Sequence, residues 1–241
     1  MSLARWYVGA AAAGYLVGSV SSTRALARVV APGQDLSTTE YVIDENGGLV
    51  SRGVSPSSLG SRAGGGWGGL AAVMDIGKAL AVTTAARSLA PDEVARQVAA
   101  TAGAAAVIGH AYPAYYQFEG GFGQSPMIGA ALALDWVSMP VTTVTSWVTG
   151  VAVGDALVAQ ESWPALMVPF ALWRRDRALL GWAAAVNVVY WIRMAPEARQ
   201  RLEHYRRYRP SWSCLLYTSP SPRDCGPDLV CRLLLEKRGG G

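Results

Sequence analysis

A lone histidine and a glycine-rich turn stand side by side near the middle of the chain. His110 ends a charge-free apolar run within Gly109–Pro113, and the turn Phe118–Gly123 follows. An imidazole there could carry a proton or donate a hydrogen bond to an oxyanion. Glycine lacks a Cβ and readily adopts positive φ, so a turn containing Gly120, Gly121 and Gly123 could present a nest of N–H groups to an anion. The junction predicts a phosphate or oxyanion site, with a structural histidine beside an ordinary turn as the alternative.

Two charged side chains interrupt the apolar segment Trp67–Leu89. Asp75 and Lys78 are three residues apart, which places them on one helix face, where they can form an ion pair. Charges at membrane depth are costly and normally face a bundle interior or an aqueous site. We expect the pair to lie beside a functional site, and a purely structural ion pair is the alternative.

The polar segment between residues 31 and 65 offers a third set of candidate groups. It is rich in Gly and Ser and is too long for a tight turn, and long loops of this kind usually carry function. Ser51 could donate a hydroxyl hydrogen bond, and the guanidinium of Arg62 suits a phosphate. An ordinary flexible loop is the alternative.

The rest of the chain has the composition needed to hold these groups within a membrane. Of the 241 residues, 51% are hydrophobic and only 16% are charged, against roughly 25% in soluble domains. Residues 6–23, 97–118 and 136–154 contain no Asp, Glu, Lys or Arg, and each run approaches the roughly 20 residues of a membrane helix. The composition predicts an all-α, polytopic integral membrane helix bundle, with a soluble, alanine-rich bundle as the alternative.

The apolar segments predict six or seven transmembrane helices. In the first, Arg24 and Arg28 follow the apolar run in helical register and no clear cleavage site appears, which favours a retained helix over a signal peptide. Its Gly14–Ser19 stretch is typical of a small-residue packing face. The predicted helices are Trp6–Val30, Trp67–Leu89, Arg96–Phe118, Pro126–Val137, Pro140–Gln160, Trp163–Trp173 and Ala178–Ile192, the last two being short for full spans.

The placement of charge predicts an orientation in the membrane. The net charge is only +4, from 21 Lys and Arg against 17 Asp and Glu, which is too small to indicate a nucleic-acid partner. A basic cluster follows the last apolar segment, and the positive-inside rule puts this C-terminal end in the cytoplasm, against anionic lipid headgroups. The prediction is a multi-pass protein of the cytoplasmic membrane. The cluster consists of Arg193, Arg199, Arg201, Arg206, Arg207 and Arg209.

The chain divides near residue 210. Residues 1–210 form the predicted membrane domain, whereas residues 211–241 are rich in Ser and Pro and form a predicted disordered or non-native tail. Part of this tail resembles a translated sequencing adaptor. It holds all three cysteines, eleven and six residues apart, and this spacing matches no zinc pattern. We therefore assign the tail no metal and no function.

In this order, the motifs resemble those of the bacterial acyl-phosphate:glycerol-3-phosphate acyltransferase family over roughly residues 8–205. Gly14–Ser19 is similar to the family's first helix, and Asp75–Lys78 is similar to its Asp-x-x-Lys motif. Val107–Pro113, with the glycine turn, is the most specific of the similarities. Glu197, with Arg201 and Leu202, is similar to the family's C-terminal Arg/Glu motif.

The resemblance implies a membrane enzyme that moves a fatty acyl group from acyl phosphate to the 1-hydroxyl of glycerol 3-phosphate. The product is lysophosphatidic acid for phospholipid synthesis, and the reaction uses no acyl-CoA, metal or other cofactor. The two substrates and membrane lipids are the implied partners. Catalytic roles are implied for His110 and Ser51, with Asp75 in support. Substrate or phosphate binding is implied for Arg62, Lys78, Gly120, Gly121, Gly123 and Glu197.

The chain departs from the family pattern at phosphate-binding positions. Glu119 and Phe122 stand where the family has two lysines, and the first loop corresponds only at Ser51 and, with a one-residue shift, at Arg62. A hydrogen bond to a charged group contributes about 1.5–3 kcal/mol, so the losses weaken a phosphate site. A catalytically impaired membrane scaffold or partner subunit of the same fold is therefore the alternative function.

A small transporter is a third possibility. Asp75, Lys78 and Asp155 fall at predicted membrane depth, where ionisable residues often mark a transport pathway. The chain shows no inverted repeat, which makes this function less favoured than the other two.

Overall fold

The computed structural model describes residues 3–44, 47–153 and 156–208, most of which are helical. The predicted helical fold is confirmed, whereas Asp155 and the tail with its cysteines lie outside the described residues. The elements are α1 Leu3–Ser19, α2 Ser22–Val30, β1 Thr38–Asp44, β2 Gly47–Arg52, α3 Pro56–Ala63, α4 Gly65–Leu89, α5 Ala95–Ala111, a 3₁₀ turn Ala114–Tyr116, α6 Gln124–Leu134, α7 Ser138–Val153, α8 Ala156–Glu161, α9 Trp163–Trp173 and α10 Arg177–Tyr208.

The first predicted helix, Trp6–Val30, is in fact two helices. Ser21 has an extended backbone between α1 and α2, and its hydroxyl accepts a hydrogen bond from the backbone N–H of Arg24 at 3.2 Å. A serine in this position caps a new helix by satisfying one of its free N–H groups. The break also frees the last carbonyl oxygens of α1 for other donors.

The polar segment predicted as a loop is partly ordered into a β-hairpin and a helix. Strands β1 and β2 pair antiparallel, with Thr39 opposite Ser51. Helix α3 begins with a capping box, in which Ser55 and Ser58 each bond the backbone N–H of the other. The hairpin is thus a small β element added to the predicted all-α architecture, and it carries Ser51 on a fixed strand.

Helices α1 and α5 pack with their backbones in close contact. A Cβ added at Gly14 would lie 2.2 Å from the carbonyl oxygen of Ala102, and one at Gly18 would lie 2.2 Å from that of Ala106. Gly109 approaches the carbonyl of Tyr15 from the other helix just as closely. The predicted small-residue packing face therefore holds α5, and the histidine at its end, tightly against α1.

Three predicted helix boundaries are wrong. Helix α5 ends at Ala111 rather than Phe118, because Pro113 removes an N–H donor and disfavours helical backbone in the residue before it. The segment Pro140–Gln160 is divided between α7 and α8. Helix α10 extends sixteen residues beyond Ile192, to Tyr208, and contains Pro196, so it is not a short span.

Among the residues that the structure describes, two helices are long and apolar enough to cross a membrane by length and composition, Gly65–Leu89 and Arg177–His204. The predicted total of six or seven spans stays a prediction. A core of large side chains, among them Trp182 and Met167, fills the space between α5, α6, α9 and α10. On α7, by contrast, Val144, Val148 and Val151 expose more than 60% of their surface, as expected of a helix that faces lipid. This arrangement leaves the polar groups to gather at one end of α5.

Candidate functional site

Asp75 and Lys78 form the predicted ion pair inside the bundle, with Nζ of Lys78 2.8 Å from Oδ1 of Asp75. Asp75 is fully buried and also accepts a hydrogen bond from the hydroxyl of Ser22 at 2.8 Å. Lys78 donates to the carbonyl oxygens of Gly18 at 3.0 Å and Val20 at 2.5 Å. The break between α1 and α2 thus supplies both the hydroxyl and the carbonyls that hold the pair.

His110 lies against this pair at the end of α5. Its Nδ1 is 3.4 Å from Nζ of Lys78 and 3.8 Å from Oδ1 of Asp75. The other ring nitrogen, Nε2, faces the glycine turn, because a Cβ added at Gly121 would lie 2.7 Å from it. The structure therefore brings together four predicted residues, namely the ion pair, the histidine and Gly121.

The glycine turn packs onto the end of α5. The N–H of Gly121 donates to the carbonyl oxygen of His110 at 3.3 Å, and a Cβ at Gly120 would lie 2.0 Å from that same oxygen. Of the three predicted nest glycines, only Gly123 has positive φ (90°), and the left-handed turn is made instead by Gln117 and Phe118. The expected nest is wrong in that detail, because the N–H of Gly121 is occupied by the histidine's own carbonyl.

Two arginines that the sequence analysis did not assign to the site bind this turn. Arg24, from α2, donates from Nη2 to the carbonyl oxygen of Glu119 at 2.9 Å. Arg193, from α10, donates from Nη2 to that of Gly120 at 2.6 Å. They are 95 and 73 residues away in sequence, so no local motif could have predicted these contacts.

Glu119 and Phe122 do not occupy the centre of the site. The side chain of Glu119 is exposed, and Phe122 is half-buried against the core cluster between α5, α6, α9 and α10. Neither side chain supplies a cation to the turn. The positive charge there comes from the surrounding helices, through Lys78 and the two arginines.

Ser51 and Glu197 form a second polar group on the same side of the bundle. The carboxylate of Glu197, on α10, lies near the hydroxyl of Ser51 and the backbone of Arg52, and its Oε1 is buried without a hydrogen-bond partner. The side chain of Gln200 exchanges two hydrogen bonds with the backbone of Val50, at 3.1 and 3.2 Å. Strand β2 is thereby fixed along α10, and both predicted residues lie on that contact.

The hairpin also links this second group to the glycine turn. Gly53, just after β2, has φ of 151°, and a Cβ there would lie 3.0 Å from the carbonyl oxygen of Gly120 and 3.4 Å from Nη2 of Arg193. The carbonyl oxygen of Val54 would lie 2.9 Å from a Cβ at Gly121. The segment after Ser51 therefore covers the turn beside His110.

A small cavity of about 110 Å³ opens between α8 and α10. Glu161 and Glu197 line it with Arg201, and the remaining walls are mostly apolar. Glu161 accepts hydrogen bonds from Tyr190 and Gln124. The cavity therefore adjoins Glu197, which is one of the predicted site residues.

On strand β1, burial raises the pKa of Tyr41, whose phenol contacts Ser57 on α3.

Arg62 is not brought to His110. Its guanidinium is exposed and donates to the carbonyl oxygens of Asp35 and Thr38, both at 3.3 Å. The carboxylate of Asp35 accepts from the N–H of Ser37 at 2.8 Å, and this bond lowers the pKa of Asp35. Arg62 therefore supports the base of the hairpin, and its predicted phosphate contact stays a prediction.

Known proteins share both the sequence pattern and the fold. A sequence profile of the family described as glycerol-3-phosphate acyltransferase matches residues 8–204. A glycerol-3-phosphate acyltransferase of Dinoroseobacter shibae is 30% identical over 126 residues, 50% of this chain and 58% of that protein. One of Pseudomonas entomophila is 29% identical over 129 residues, 48% of this chain and 66% of that protein. The chain thus spans less than two thirds of the length of these curated relatives.

Two crystal structures have a similar fold. They are of PlsY, an integral membrane glycerol 3-phosphate acyltransferase, in its glycerol 3-phosphate form and its lysophosphatidic acid form. The TM-scores are 0.66 and 0.67 at 19% identity, over 88% of this chain and 99% of PlsY. At this level of identity the likeness shows a shared fold, and it agrees with the predicted membrane helix bundle.

Proposed function

Because the chain belongs to the glycerol-3-phosphate acyltransferase family, we propose that it is a membrane acyltransferase. It transfers a fatty acyl group from acyl phosphate to glycerol 3-phosphate, or to a related polyol phosphate. The product is lysophosphatidic acid or its analogue, for phospholipid synthesis. The observation that carries the proposal is the convergence of His110, Lys78 and the glycine turn at one end of α5.

The contact between Lys78 and His110 supports a specific role for the histidine. The three N–H groups of Lys78 have closer acceptors in Asp75, Gly18 and Val20. A positive charge 3.4 Å from Nδ1 of His110 still favours a lone pair on that nitrogen, so we assign the hydrogen to Nε2. That N–H faces the glycine turn. There it would donate to an oxygen of the acyl phosphate and stabilise negative charge as the carbonyl is attacked.

In the transfer itself, the 1-hydroxyl oxygen of glycerol 3-phosphate forms a bond to the acyl carbonyl carbon. The bond between that carbon and the phosphate oxygen breaks, and the hydroxyl proton ends on the departing phosphate. Charge therefore develops on the carbonyl oxygen and on the leaving group, which is why donors and cations are needed at the turn. Lys78 is the proposed cation, with Asp75 positioning it, and the N–H groups of Gly120 and Gly123 are the proposed donors, because that of Gly121 is bound to the carbonyl oxygen of His110.

The acceptor would bind where the hairpin meets α10. Ser51 and Glu197 face each other there and could hydrogen-bond the hydroxyl groups of a polyol. Arg62, on the exposed side of the hairpin, is proposed to attract the acceptor's phosphate. The basic end of α10 is proposed to face the cytoplasm, which would expose this side of the protein to soluble glycerol 3-phosphate.

The decisive assay uses the purified full chain in detergent micelles or nanodiscs, with palmitoyl phosphate and glycerol 3-phosphate. We expect lysophosphatidic acid by mass spectrometry and equimolar release of phosphate. Palmitoyl-CoA in place of palmitoyl phosphate is the matched control and should yield no product. No turnover with any glycerol-phosphate-like acceptor would reject the proposal.

A non-catalytic scaffold or partner subunit remains the second candidate, because Glu119 is exposed and Phe122 packs into the core. Neither can bind a phosphate. In cells that depend on this protein, full function of a His110→Ala, Arg62→Ala double variant would favour the scaffold. Loss of function at wild-type protein levels would favour the enzyme.

A further inference from the structure

Arg24 and Arg193 reach the glycine turn from two different helices and bind consecutive residues of it. Their Nη2 atoms donate to the carbonyl oxygens of Glu119 and Gly120, at 2.9 and 2.6 Å. We propose that the two guanidinium groups form an oxyanion-binding pair at the turn. The assignment of that oxyanion to the phosphoryl group of acyl phosphate rests on the proposed function.

Both guanidinium groups are held in place by aromatic rings. The guanidinium carbon of Arg24 lies 4.8 Å from the ring centre of Tyr116, and that of Arg193 lies 5.4 Å from the ring centre of Tyr112. A cation over a ring face is attracted to it and loses mobility. The phenol of Tyr15 fixes the second ring by donating to the backbone of Tyr112 at 2.8 Å. The pair is therefore preorganised before any ligand binds.

The charge of the pair is not balanced by the protein. Within the ranges that the structure describes, neither Arg24 nor Arg193 forms an ion pair with a carboxylate, and the buried Asp75 is already matched by Lys78. Arg193 also lies close enough to His110 to act on it electrostatically. Two unmatched guanidinium groups beside a lysine and an imidazole favour a multiply charged anion.

Each arginine also retains an unused donor. The Nε atoms of Arg24 and Arg193 are buried and have no hydrogen-bond partner. Buried polar groups in folded proteins are nearly always paired, so two orphaned donors on arginines that bind consecutive residues of one turn indicate a missing acceptor. A phosphoryl group has enough oxygens to accept from both guanidinium groups at once. The positive charge of the site is thereby supplied from α2 and α10, whereas the turn itself carries Glu119 and Phe122.

A purely structural role, in which the arginines only fix the turn, makes a different prediction, and stability measurements can distinguish the two. The full chain in detergent micelles is heated with and without inorganic phosphate, with chloride holding the ionic strength constant. The variants are Arg24→Gln and Arg193→Gln, with Arg24→Lys and Arg193→Lys to keep the charge. Arg28→Gln and Arg199→Gln, exposed on the same two helices, are the matched controls.

We expect phosphate to raise the unfolding temperature of the wild type and of both control variants. The rise should be smaller in the two glutamine variants and return in part in the lysine variants. In turnover assays the glutamine variants should raise the KM for palmitoyl phosphate about tenfold or more, as expected for a lost charged hydrogen bond. A structural role would lower the unfolding temperature equally with and without phosphate.

Two results would overturn the proposal that the two arginines bind an oxyanion. One is a wild type that phosphate does not stabilise; the other is an undiminished phosphate effect in both glutamine variants, however unstable they are. The phosphate measurement needs no turnover, so failure of the proposed enzyme activity is separable from failure of the site. Phosphate binding that depends on the two arginines, without formation of lysophosphatidic acid, would support the anion site and reject the acyltransferase function. Turnover with wild-type KM values in the glutamine variants would support the acyltransferase and reject the anion site.

Discussion

Nζ of Lys78 lies 3.4 Å from Nδ1 of His110, although the two residues come from helices α4 and α5. The contact depends on the break between α1 and α2, because the carbonyl oxygens of Gly18 and Val20 hold the ammonium group where it meets the ring. Carbonyls within a continuous helix would be engaged in its own hydrogen bonds. The irregularity between α1 and α2 therefore positions the ammonium group of Lys78 against the ring of His110.

The first prediction concerns the buried ion pair. Lys78→Met should destabilise the protein by about 3–5 kcal/mol, because Asp75 would remain as an uncompensated buried carboxylate. The double variant Asp75→Asn, Lys78→Met should be more stable than Lys78→Met alone, since it removes both charges. Reversible unfolding in mixed micelles measures both values and yields the coupling energy of the pair.

Ser22→Ala provides the comparison for this pair. It removes a single hydrogen bond to Asp75, so its cost should be about 1.5–3 kcal/mol. A Lys78→Met variant no less stable than Ser22→Ala would show that the ammonium group does not compensate the carboxylate.

The second prediction concerns the hydrogen on Nε2 of His110. Loss of one preorganised donor to a developing oxyanion lowers kcat by about 10²–10³, so we expect this loss in His110→Ala. His110→Gln, whose amide can still donate, should recover part of the rate. Ser88→Ala, on an exposed part of α4, is the control and should match the wild type. An unchanged kcat in His110→Ala would remove the histidine from the reaction.

Local patterns in the sequence predicted some of the contacts that the structure shows. The three-residue spacing of Asp75 and Lys78 predicted their pairing, and the pair is formed at 2.8 Å. The apolar run before the glycine turn predicted a helix, and the structure has that helix, although it ends at Ala111 rather than at Phe118. These features depend on residues near one another in the chain, where helical periodicity and loss of Cβ atoms have direct consequences.

Contacts between distant segments could not be predicted in this way. Ser21 ends one helix and caps the next inside an apolar run whose periodicity favours a single helix. Arg24 and Arg193 were assigned to charge patterns at helix ends, because the turn that they bind is 73 or more residues away. Arg62 was assigned from the chemistry of its guanidinium alone, and no sequence pattern predicted its bonds to the carbonyl oxygens of Asp35 and Thr38.

The third prediction concerns the packing of α1 on α5. A Cβ at Gly18 would lie 2.2 Å from the carbonyl oxygen of Ala106, which is backbone and cannot rotate away. Overpacking of this kind costs about 1–3 kcal/mol, so Gly18→Ala should be destabilised by that amount. Gly9→Ala, on the same helix with no atom within 4 Å of its added Cβ, should be as stable as the wild type or more so. Equal stability of the two variants would contradict the close helix contact.

The fourth prediction separates catalysis from folding at Gly121. A Cβ there would lie 2.7 Å from Nε2 of His110 and 2.9 Å from the carbonyl oxygen of Val54, so Gly121→Ala should displace the imidazole from the turn. Because misplacing a catalytic group by about 1 Å can cost roughly 10² in rate, kcat should fall by about that factor. The unfolding temperature should fall less than in Gly18→Ala, since the nearest atom to the added methyl group belongs to the side chain of His110, whereas at Gly18 it is backbone. Gly69→Ala, where the added Cβ meets no atom within 4 Å, is the control for both measurements. Wild-type kcat in Gly121→Ala would mean that the turn and the ring of His110 need not be in contact during the reaction.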